Sequence, residues 1–563
     1  MAKKKAAAAP ATGSLSVLQW LDRCGMACAI ALVFLATVRI VSTYNVFSHT
    51  FDEPAHLACG MEWLNKGTYV WEPQHPPLSR VAVALGPYLS GVRVSDQVNG
   101  KLPLSFIFVE GNQLLDTDHN YDLTLGLARA GTLPFFWLAC AVVYFWSRRY
   151  FSRAVAVIAL ALFTFLPPIL AHAGLATTDM ALTAFLGATF LCGMIWLEEP
   201  TWKHAILFSV SGALMVLSKF SCLVFLPAAA GLALLWYYAV ERPSLRAIGR
   251  RILELLPQLA VAVLLALFII WAGYRFSYGK VYFTSIKLPF PELFAGIKQV
   301  IEHNETGHTG YLLGERRTKG FWYFYEVALA VKTPLAFLAV MGYGIWLSWR
   351  KQPALRRLYV PFCFSAAILL VGAFSSINIG IRHVLPIYIG FSLLAAVAVV
   401  RLLEAGQTRR WVHVGVVALM VWFTASSLFS HPDYLPYFNE LAGSQPEKIL
   451  VDSDLDWGQD MKRAGARLRE VHAPDVAFVS NIVADLTDEF GFPPTKGFRP
   501  SVPVAGWNLV SITKWKEMRL GLYETYLDAP LWPDKYMQMI GVPGGPQPER
   551  IGKGMLLWYF PPQ

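Results

Sequence analysis

The sequence predicts a mainly α-helical, polytopic membrane protein of about eleven spanning helices, with a small α/β domain at its C-terminal end. Of 563 residues, 55% are hydrophobic and only 15% are charged, and the mean hydropathy is +0.43. Soluble domains carry about 25% charged residues, so the composition excludes an ordinary water-soluble enzyme. About 20 apolar residues cross a bilayer. The candidate spans are 24–47, 126–147, 154–175, 180–197, 204–218, 220–240, 255–274, 326–347, 358–376, 383–403 and 411–430.

The charges of the short connections predict how the chain is oriented. Basic residues occupy every second connection, as the positive-inside rule requires of cytoplasmic loops. In chain order, the six basic connections contain Lys3–Lys5 with Arg23; Arg148, Arg149 and Arg153; Lys203; Arg242 to Arg251; Arg350 to Arg357; and Arg401 to Arg410. The net charge of +10 therefore reflects topology in a cell inner membrane, and no nucleic-acid partner is predicted.

This orientation divides the chain into three parts. Residues 1–23 form a cytoplasmic tail, followed by a retained first helix and not by a cleaved signal peptide. Residues 24–430 form the transmembrane domain, with outer loops at 48–125 and 275–325. Residues 431–563 form an extracytoplasmic α/β domain, in which 448–452 and 476–480 are predicted strands flanking a helix at 458–471, a βαβ unit.

Ionisable side chains near apolar spans are costly and mark functional sites, unless they merely reach the head groups. The predicted outer helix ends carry three acids and four basic side chains: Asp52, Glu53, Asp179, Lys219, Lys332, Arg382 and His383. Cations can hold a phosphate by charge-assisted hydrogen bonds, and a carboxylate can deprotonate an acceptor hydroxyl as a general base. The set therefore indicates a reaction on a lipid-linked phosphate at the outer face.

Two histidines of the first outer loop are further candidates. His56 follows Asp52 by four residues, one turn of a helix, and His75-Pro-Pro-Leu opens an apolar segment. Either could bind a metal ion together with Asp52. A hydrogen-bonding or structural role is the simpler interpretation, because the spacing matches no known metal cage. A divalent cation at Asp52 and Asp179 stays open as a cofactor.

Taken in order, these motifs resemble the GT-C membrane glycosyltransferases. The resemblance rests on Asp52-Glu53, His75-Pro-Pro-Leu, Asp179, Ser218-Lys219, Lys332-Thr-Pro and Arg382-His-x-Leu-Pro-Ile-Tyr. The nearest group is the bacterial family 39, which includes relatives of protein O-mannosyltransferases and of the lipid A aminoarabinose transferase. The segment from Asp452 to Asp460 is similar to one in phospholipid-carrier-dependent glycosyltransferases of bacteria. The resemblance covers about residues 20–430 and reaches into the tail.

The resemblance implies a polyprenyl-phosphate-sugar donor and transfer, with inversion, to a protein, lipid or glycan acceptor on the outer face. By position, Asp52 matches the catalytic base or metal-side acid, Glu53 its neighbour, and Asp179 a second acid. Arg382 matches a basic residue near the lipid phosphate, where Lys219, Lys332 and His383 are additional candidates. The tail lacks the repeats found in the eukaryotic protein O-mannosyltransferases, so a protein acceptor does not follow from the resemblance.

The tail segment beginning at Asp452 has a second interpretation. Its alternating aspartates followed by Gly458 look like the start of an EF-hand, but the twelfth position is Arg463 and not glutamate. We therefore expect Asp456 or a neighbour to cap the helix that follows.

Two other classes of function compete with a transferase. A transporter or flippase of a lipid-linked sugar would need polar residues and broken helices near the bilayer midplane. A membrane scaffold would leave the acids at 52, 53 and 179 unexplained.

Overall fold

The computed structural model describes residues 14–95, 103–281, 284–350, 352–480, 486–497, 505–519 and 547–560. Outside these ranges lie the basic residues Lys3–Lys5 and Lys351, and also the C-terminal residue Gln563.

Twenty α-helices are described: α1 Ser14–Val41, α2 Glu53–Met61, α3 Pro77–Leu89, α4 Leu104–Leu115, α5 Tyr121–Ala130, α6 Leu133–Tyr150, α7 Arg153–Thr164, α8 Pro167–Ala173, α9 Asp179–Glu198, α10 Trp202–Val216, α11 Cys222–Glu241, α12 Leu245–Gly273, α13 Pro291–Thr306, α14 Phe324–Lys332, α15 Leu335–Ser348, α16 Tyr359–Ala373, α17 Ile387–Gly406, α18 Arg410–Phe429, α19 Met461–Glu470 and α20 Ile512–Arg519.

The mainly helical membrane fold is confirmed, although fewer helices reach spanning length than the eleven predicted. Eight of the described helical segments are long and apolar enough to cross a membrane: Val17–Val41, Tyr121–Tyr150, Asp179–Glu198, Cys222–Glu241, Leu245–Gly273, Leu355–Ala373, Ile387–Gly406 and Arg410–Phe429. Helices α7 and α8 make a ninth if counted as one span bent by 68°. The two other predicted spans fall on α10 and α15, which have only 15 and 14 residues.

Nine short strands lie among the described residues and form three sheets, in the loop after α12 and in the tail. They are β1 Tyr278–Lys280, β2 Lys287–Pro289, β3 Gly310–Leu312, β4 Glu315–Arg317, β5 Val476–Val479, β6 Thr495–Gly497, β7 Gly506–Ser511, β8 Glu549–Ile551 and β9 Met555–Phe560. The first four make two hairpins in the outer loop that follows α12. The rest form a tail sheet in the order β6-β5-β7-β9-β8, in which β5 pairs in parallel with β6 and β7.

The predicted βαβ unit is only partly right. Helix α19 and strand β5 form where expected, but residues 448–452 are not a strand. Short 3-10 turns at Pro446–Lys448 and Asp452–Asp454 flank this stretch. Its apolar Leu450 is buried in the cluster formed by the membrane helices, because a short apolar run serves a buried turn as well as a strand.

Two apolar clusters explain how the tail is attached. One fills the helical bundle. The other joins the first outer loop to the tail, with Leu57 and Leu125 in the same cluster as Leu468 and Leu509. The tail therefore packs directly on the loop that carries Asp52.

Candidate active site

Four helix ends bring together the two acids and two of the cations that the sequence singled out. Asp52 precedes α2, Asp179 begins α9, Lys219 lies between α10 and α11, and Arg382 lies in a 3-10 turn before α17. Arg382 Nη1 donates to Asp52 Oδ2 at 2.9 Å and lies 3.7 Å from Asp179 Oδ2. Lys219 Nζ donates to Asp179 Oδ1 at 2.5 Å. The prediction that these four side chains share one site agrees with this geometry.

The two carboxylates differ in access. The Asp179 side chain is fully buried between the two cations, whereas 24% of the Asp52 side chain is exposed. Asp52 stands at the N-terminus of α2 but makes no capping hydrogen bond there, so its carboxylate faces Arg382 and solvent. Of the two acids, Asp52 is therefore the one that an incoming hydroxyl can reach.

Glu53 points away from this group. Its carboxylate accepts from Arg129 Nε at 2.8 Å and from Arg129 Nη2 at 2.9 Å. It also accepts from the backbone amides of Ala176 and Thr50, at 2.8 and 2.7 Å. Burial alone would raise the pKa of Glu53, but the charge and hydrogen bonds of Arg129 lower it below its usual value. Glu53 thus ties the first outer loop to α5 and to the turn before Asp179, which favours positioning over chemistry.

His56 and His75 belong to a second polar group, whose centre is an arginine that the sequence analysis missed. Arg80 is buried and pairs with Glu72. It donates from Nε to His56 Nδ1 at 3.0 Å and lies 3.2 Å from His75 Nδ1. The sequence did contain a sign of this role. Arg80 ends the motif His75-Pro-Pro-Leu-Ser-Arg, next to apolar residues, and a buried cation needs a partner.

The bond from Arg80 determines the state of His56. An arginine cannot give up its proton, so His56 Nδ1 must be the acceptor and a neutral ring carries its proton on Nε2. Burial and the neighbouring Arg80 charge lower the pKa of His56 well below its ordinary value. His56 is therefore a neutral hydrogen-bond donor, and its Nδ1 is not free for a metal ion.

The remaining cationic candidates lie beside the four-residue group. Lys332 is buried and donates to the backbone carbonyls of Leu435, at 2.7 Å, and of Asp454. It thus joins α14 to the tail. His383 follows Arg382 and is half-buried. Its Nε2 is buried and has no hydrogen-bond partner among the described residues.

A wall of the site comes from the tail. Arg382 Nε lies 3.3 Å from Ser453 Oγ, and the guanidinium stacks over the Trp457 ring at 4.1 Å. Asp454 Oδ1 accepts from the backbone amide of Ile381 at 3.1 Å. The motif beginning at Asp452 was therefore correctly singled out, but its contact with Arg382 was not foreseen.

The predicted capping role of this motif is wrong. Asp460 stands at the start of α19 and makes no capping bond there. Asp456 accepts instead from Ser511 Oγ and, at 3.0 Å, from the amide of Thr513 in the first turn of α20. The buried carboxylate accepts from the nearby amide of Gly458 at 3.3 Å and from groups of α20 and β7 that the folded tail brings to it.

A divalent cation shared by Asp52 and Asp179 does not fit this arrangement. Arg382 lies between the two carboxylates and Lys219 holds the other side of Asp179, so a cation would have to displace both. Among the described residues, the one group of histidines and acids close enough to share a metal is Asp116, His119 and Glu489. That group is largely exposed and does not include any of the four site residues.

The family comparison matches part of the membrane domain. Residues 130–279 match the family described as dolichyl-phosphate-mannose-protein mannosyltransferase. This range contains Asp179 and Lys219. No curated protein matches the chain at the level of sequence.

Solved structures share the fold at low sequence identity. ArnT from Cupriavidus metallidurans, bound to undecaprenyl phosphate, is similar with a TM-score of 0.50 and 13% identity, over 95% of this chain and 99% of that one. AglB from Archaeoglobus fulgidus, in complex with an inhibitory peptide and a dolichol-phosphate, gives a TM-score of 0.45 and 11% identity, over 88% and 72%. The oligosaccharyltransferase of that organism, tethered with an acceptor peptide, gives 0.44 and 13%, over 84% and 61%.

The fold and the family match are consistent with each other. The chain has the GT-C fold that ArnT also has, and residues 130–279 carry the match to the protein mannosyltransferase family. The chain is a multi-pass membrane protein.

Proposed function

We propose that the protein transfers a sugar from a polyprenyl-phosphate donor to an acceptor hydroxyl on the extracytoplasmic side of the inner membrane. The observation that carries the proposal is the group formed by Asp52, Asp179, Lys219 and Arg382, in which the most exposed carboxylate is paired with a guanidinium. The ArnT structure contains undecaprenyl phosphate, which supports a lipid phosphate as the ligand of this class of site.

In the proposed reaction, Asp52 takes the proton of the acceptor hydroxyl. The hydroxyl oxygen bonds to the anomeric carbon while the bond from that carbon to the phosphate oxygen breaks. The bonding electron pair leaves with the polyprenyl phosphate, and one displacement inverts the anomeric centre. Arg382 and Lys219 stabilise the phosphate charge as it develops, as preorganised donors do best.

The ion pair between Arg382 and Asp52 links donor binding to activation of the base. In the pair, Arg382 Nη1 donates to Asp52 Oδ2 at 2.9 Å and so occupies the carboxylate oxygen. An incoming phosphate competes for the same donors, since Arg382 presents a planar fork suited to phosphate oxygens. When Arg382 turns to the phosphate, Asp52 Oδ2 loses this donor and is free to accept the proton of the acceptor hydroxyl.

Release of polyprenyl phosphate tests the proposal. Purified full-length protein is incubated with a labelled polyprenyl-phosphate sugar and an extract of outer-surface acceptors. A transferase releases polyprenyl phosphate and labels an acceptor. A flippase, the alternative, moves the intact donor between the leaflets of a vesicle without cleaving it, and that result would refute the proposal.

Replacement of Arg382 tests the role of the phosphate contact. Arg382→Lys keeps the charge but loses the planar fork, so we expect the apparent donor KM to rise about tenfold, on the scale of one charge-assisted hydrogen bond. Arg317→Lys is a matched control, because Arg317 is half exposed and pairs with Glu315 in the β3–β4 hairpin. Unchanged donor dependence in Arg382→Ala would remove Arg382 from this role and make His383 or Lys332 the next candidate.

A further inference from the structure

Residues 452–460, here called the tail loop, contact Arg382 and the backbone of Phe51, the residue before Asp52. On the Arg382 side, Trp457 lies under the guanidinium at 4.1 Å and Ser453 Oγ lies 3.3 Å from Nε. On the Asp52 side, the Trp457 carbonyl accepts from the amide of Phe51 at 3.0 Å. One tail residue therefore touches the Arg382 side chain and the backbone next to Asp52.

Further bonds tie the tail loop to the segment that leads into Asp52. The amide of Ser48 donates to the Gln459 carbonyl at 3.1 Å, and Ser48 Oγ donates to the Gly458 carbonyl at 2.9 Å. The turn that carries Arg382 is equally close, because a Cβ added to Gly380 would lie 2.3 Å from Ser453 Oγ. The loop thus lies between the two segments and contacts both.

The opposite side of the tail loop is held by the tail sheet. Asp456 accepts from Thr513, and its carbonyl accepts from Thr513 Oγ1 at 2.9 Å. Asp460 accepts from the amides of Lys553 and Gly554, both at 2.9 Å. The Trp457 side chain has almost no freedom to move, since the residue is only 2% exposed.

We propose that the tail loop is a positioning element of the donor-phosphate site, with Trp457 as the positioning residue that holds Arg382 in register with Asp52. The inference rests on the proposed function. Arginine loses rotamer entropy when it is ordered on a phosphate, and a stacked indole removes part of that loss before the phosphate arrives. An aromatic ring under a desolvated guanidinium also stabilises its charge.

The test measures binding of undecaprenyl phosphate to the full-length protein in nanodiscs, by titration with radiolabelled lipid. We expect Trp457→Leu to weaken binding about tenfold and Trp457→Phe to retain most of it, because phenylalanine keeps an aromatic face. Trp515→Leu is the matched control: Trp515 is also a buried tail tryptophan, but its ring contacts Trp558. We expect Trp515→Leu to bind undecaprenyl phosphate like the parent. A tenfold loss of binding in this control would show that any buried tail tryptophan matters, and it would overturn the inference.

A double-mutant cycle separates positioning from general stability. If Trp457 acts through Arg382, adding Trp457→Leu to Arg382→Ala causes no further loss of binding. Additive losses would overturn the inference. Ser453→Ala removes a second contact with Arg382 at little change in volume, and we expect it to weaken binding about threefold even if Trp457→Leu fails to fold. If Trp457→Leu fails to fold, the other two variants decide. Binding within twofold of the parent by both Ser453→Ala and Trp457→Phe would then overturn the inference.

The same cycle distinguishes failure of this inference from failure of the proposed function. Weak binding by Arg382→Ala with parent-like binding by Trp457→Leu would overturn only the role of the tail loop. Parent-like binding by Arg382→Ala would overturn both, because Arg382 would then not hold the phosphate.

Discussion

Asp52 and Glu53 are neighbours in the chain, yet their side chains have different partners. Asp52 meets Arg382 across 330 residues of sequence, while Glu53 meets Arg129 in the core of the outer loop. Adjacent residues at a helix start point about 100° apart, so one faces the site and the other faces the protein. The two acids therefore call for different mutational tests.

Asp52→Asn keeps the shape of the side chain and removes the base. We expect turnover to fall roughly a hundredfold or more, the usual scale for loss of a general base, with donor binding largely kept. Turnover is measured as release of polyprenyl phosphate. Asp122→Asn is the control, because Asp122 is an exposed acid of the same outer loop that pairs with Lys462. A folded Asp52→Asn protein with parent turnover would exclude Asp52 as the base and direct attention to Asp179.

Glu53→Ala is expected to act on stability first. It leaves Arg129, whose side chain is 1% exposed, as an unpaired buried cation. Breaking a buried ion pair in this way costs about 3 to 5 kcal/mol, so we expect a clear drop in the thermal unfolding midpoint in detergent. Glu53→Gln should be milder, since the amide oxygen still accepts. An unchanged midpoint with a changed donor KM would instead support a direct role of Glu53 in substrate binding.

At the scale of elements, helix ends and turns build the site, and the tail loop closes it. Each of the four ionisable residues stands where a helix begins or two helices meet, so short changes in the chain's direction bring them together. The tail loop reaches the same place because α19 and the tail sheet pack on the first outer loop. Asp454, Asp456 and Asp460 of the tail loop are consequently buried away from water.

Asp456 is expected to make the stability of the folded protein dependent on pH. Burial raises the pKa of Asp456 to about 6, although hydrogen bonds from Ser511 and Thr513 oppose this rise. A raised pKa in the folded state means that folding favours the protonated form. The stabilisation of the folded state by Asp456 is fully present below the pKa of the unfolded chain, about 3.9, and is lost as the pH rises through 6.

We therefore expect the unfolding midpoint of the parent, relative to Asp456→Asn, to fall between pH 4 and pH 7. The measurement is thermal unfolding in detergent at one-unit steps of pH. Asp475→Asn, at a partly exposed acid of the tail, is the control. A difference between parent and Asp456→Asn that stays constant over this range, or grows as the pH rises, would contradict the prediction.

At the scale of the whole molecule, the charge pattern and the position of the site fit one orientation. Helix α9 shows this. Asp179 at its start belongs to the site. Glu198 at its end pairs with Arg149 and Arg357 of the basic connections. The site and the basic connections therefore lie at opposite ends of this spanning helix. The side that holds the site is predicted to be extracytoplasmic from the positive-inside rule alone. A lipid-linked sugar would then meet its acceptor outside the cell membrane, where no nucleotide is needed.

A reporter fusion tests this orientation. An enzyme active only outside the cytoplasm, fused after Gln563, is expected to be active. The same reporter inserted at Pro243, in the basic connection between α11 and α12, should be inactive. Activity of a cytoplasm-only reporter after Gln563 would reverse the orientation and remove the argument for an extracytoplasmic reaction.

The sequence by itself was enough to predict the class of protein and the residues of the central group. Long apolar stretches with few charges can only be satisfied in lipid as helices, and ionisable residues beside them are too costly to be incidental. These two constraints act locally, so Asp52, Asp179, Lys219 and Arg382 could be found by reading along the chain. Their order in the motifs then indicated the GT-C fold, which the structure confirmed.

Only the tertiary structure decided which of these side chains meet and which serve the fold. It paired Glu53 with Arg129, revealed Arg80 as the partner of His56, turned Lys332 toward the tail, and placed Trp457 against Arg382. These are contacts between residues far apart in the chain, made where separate helix ends and the tail pack together. Their free energy depends on burial and on distances of about 3 Å, and spacing in the sequence specifies neither.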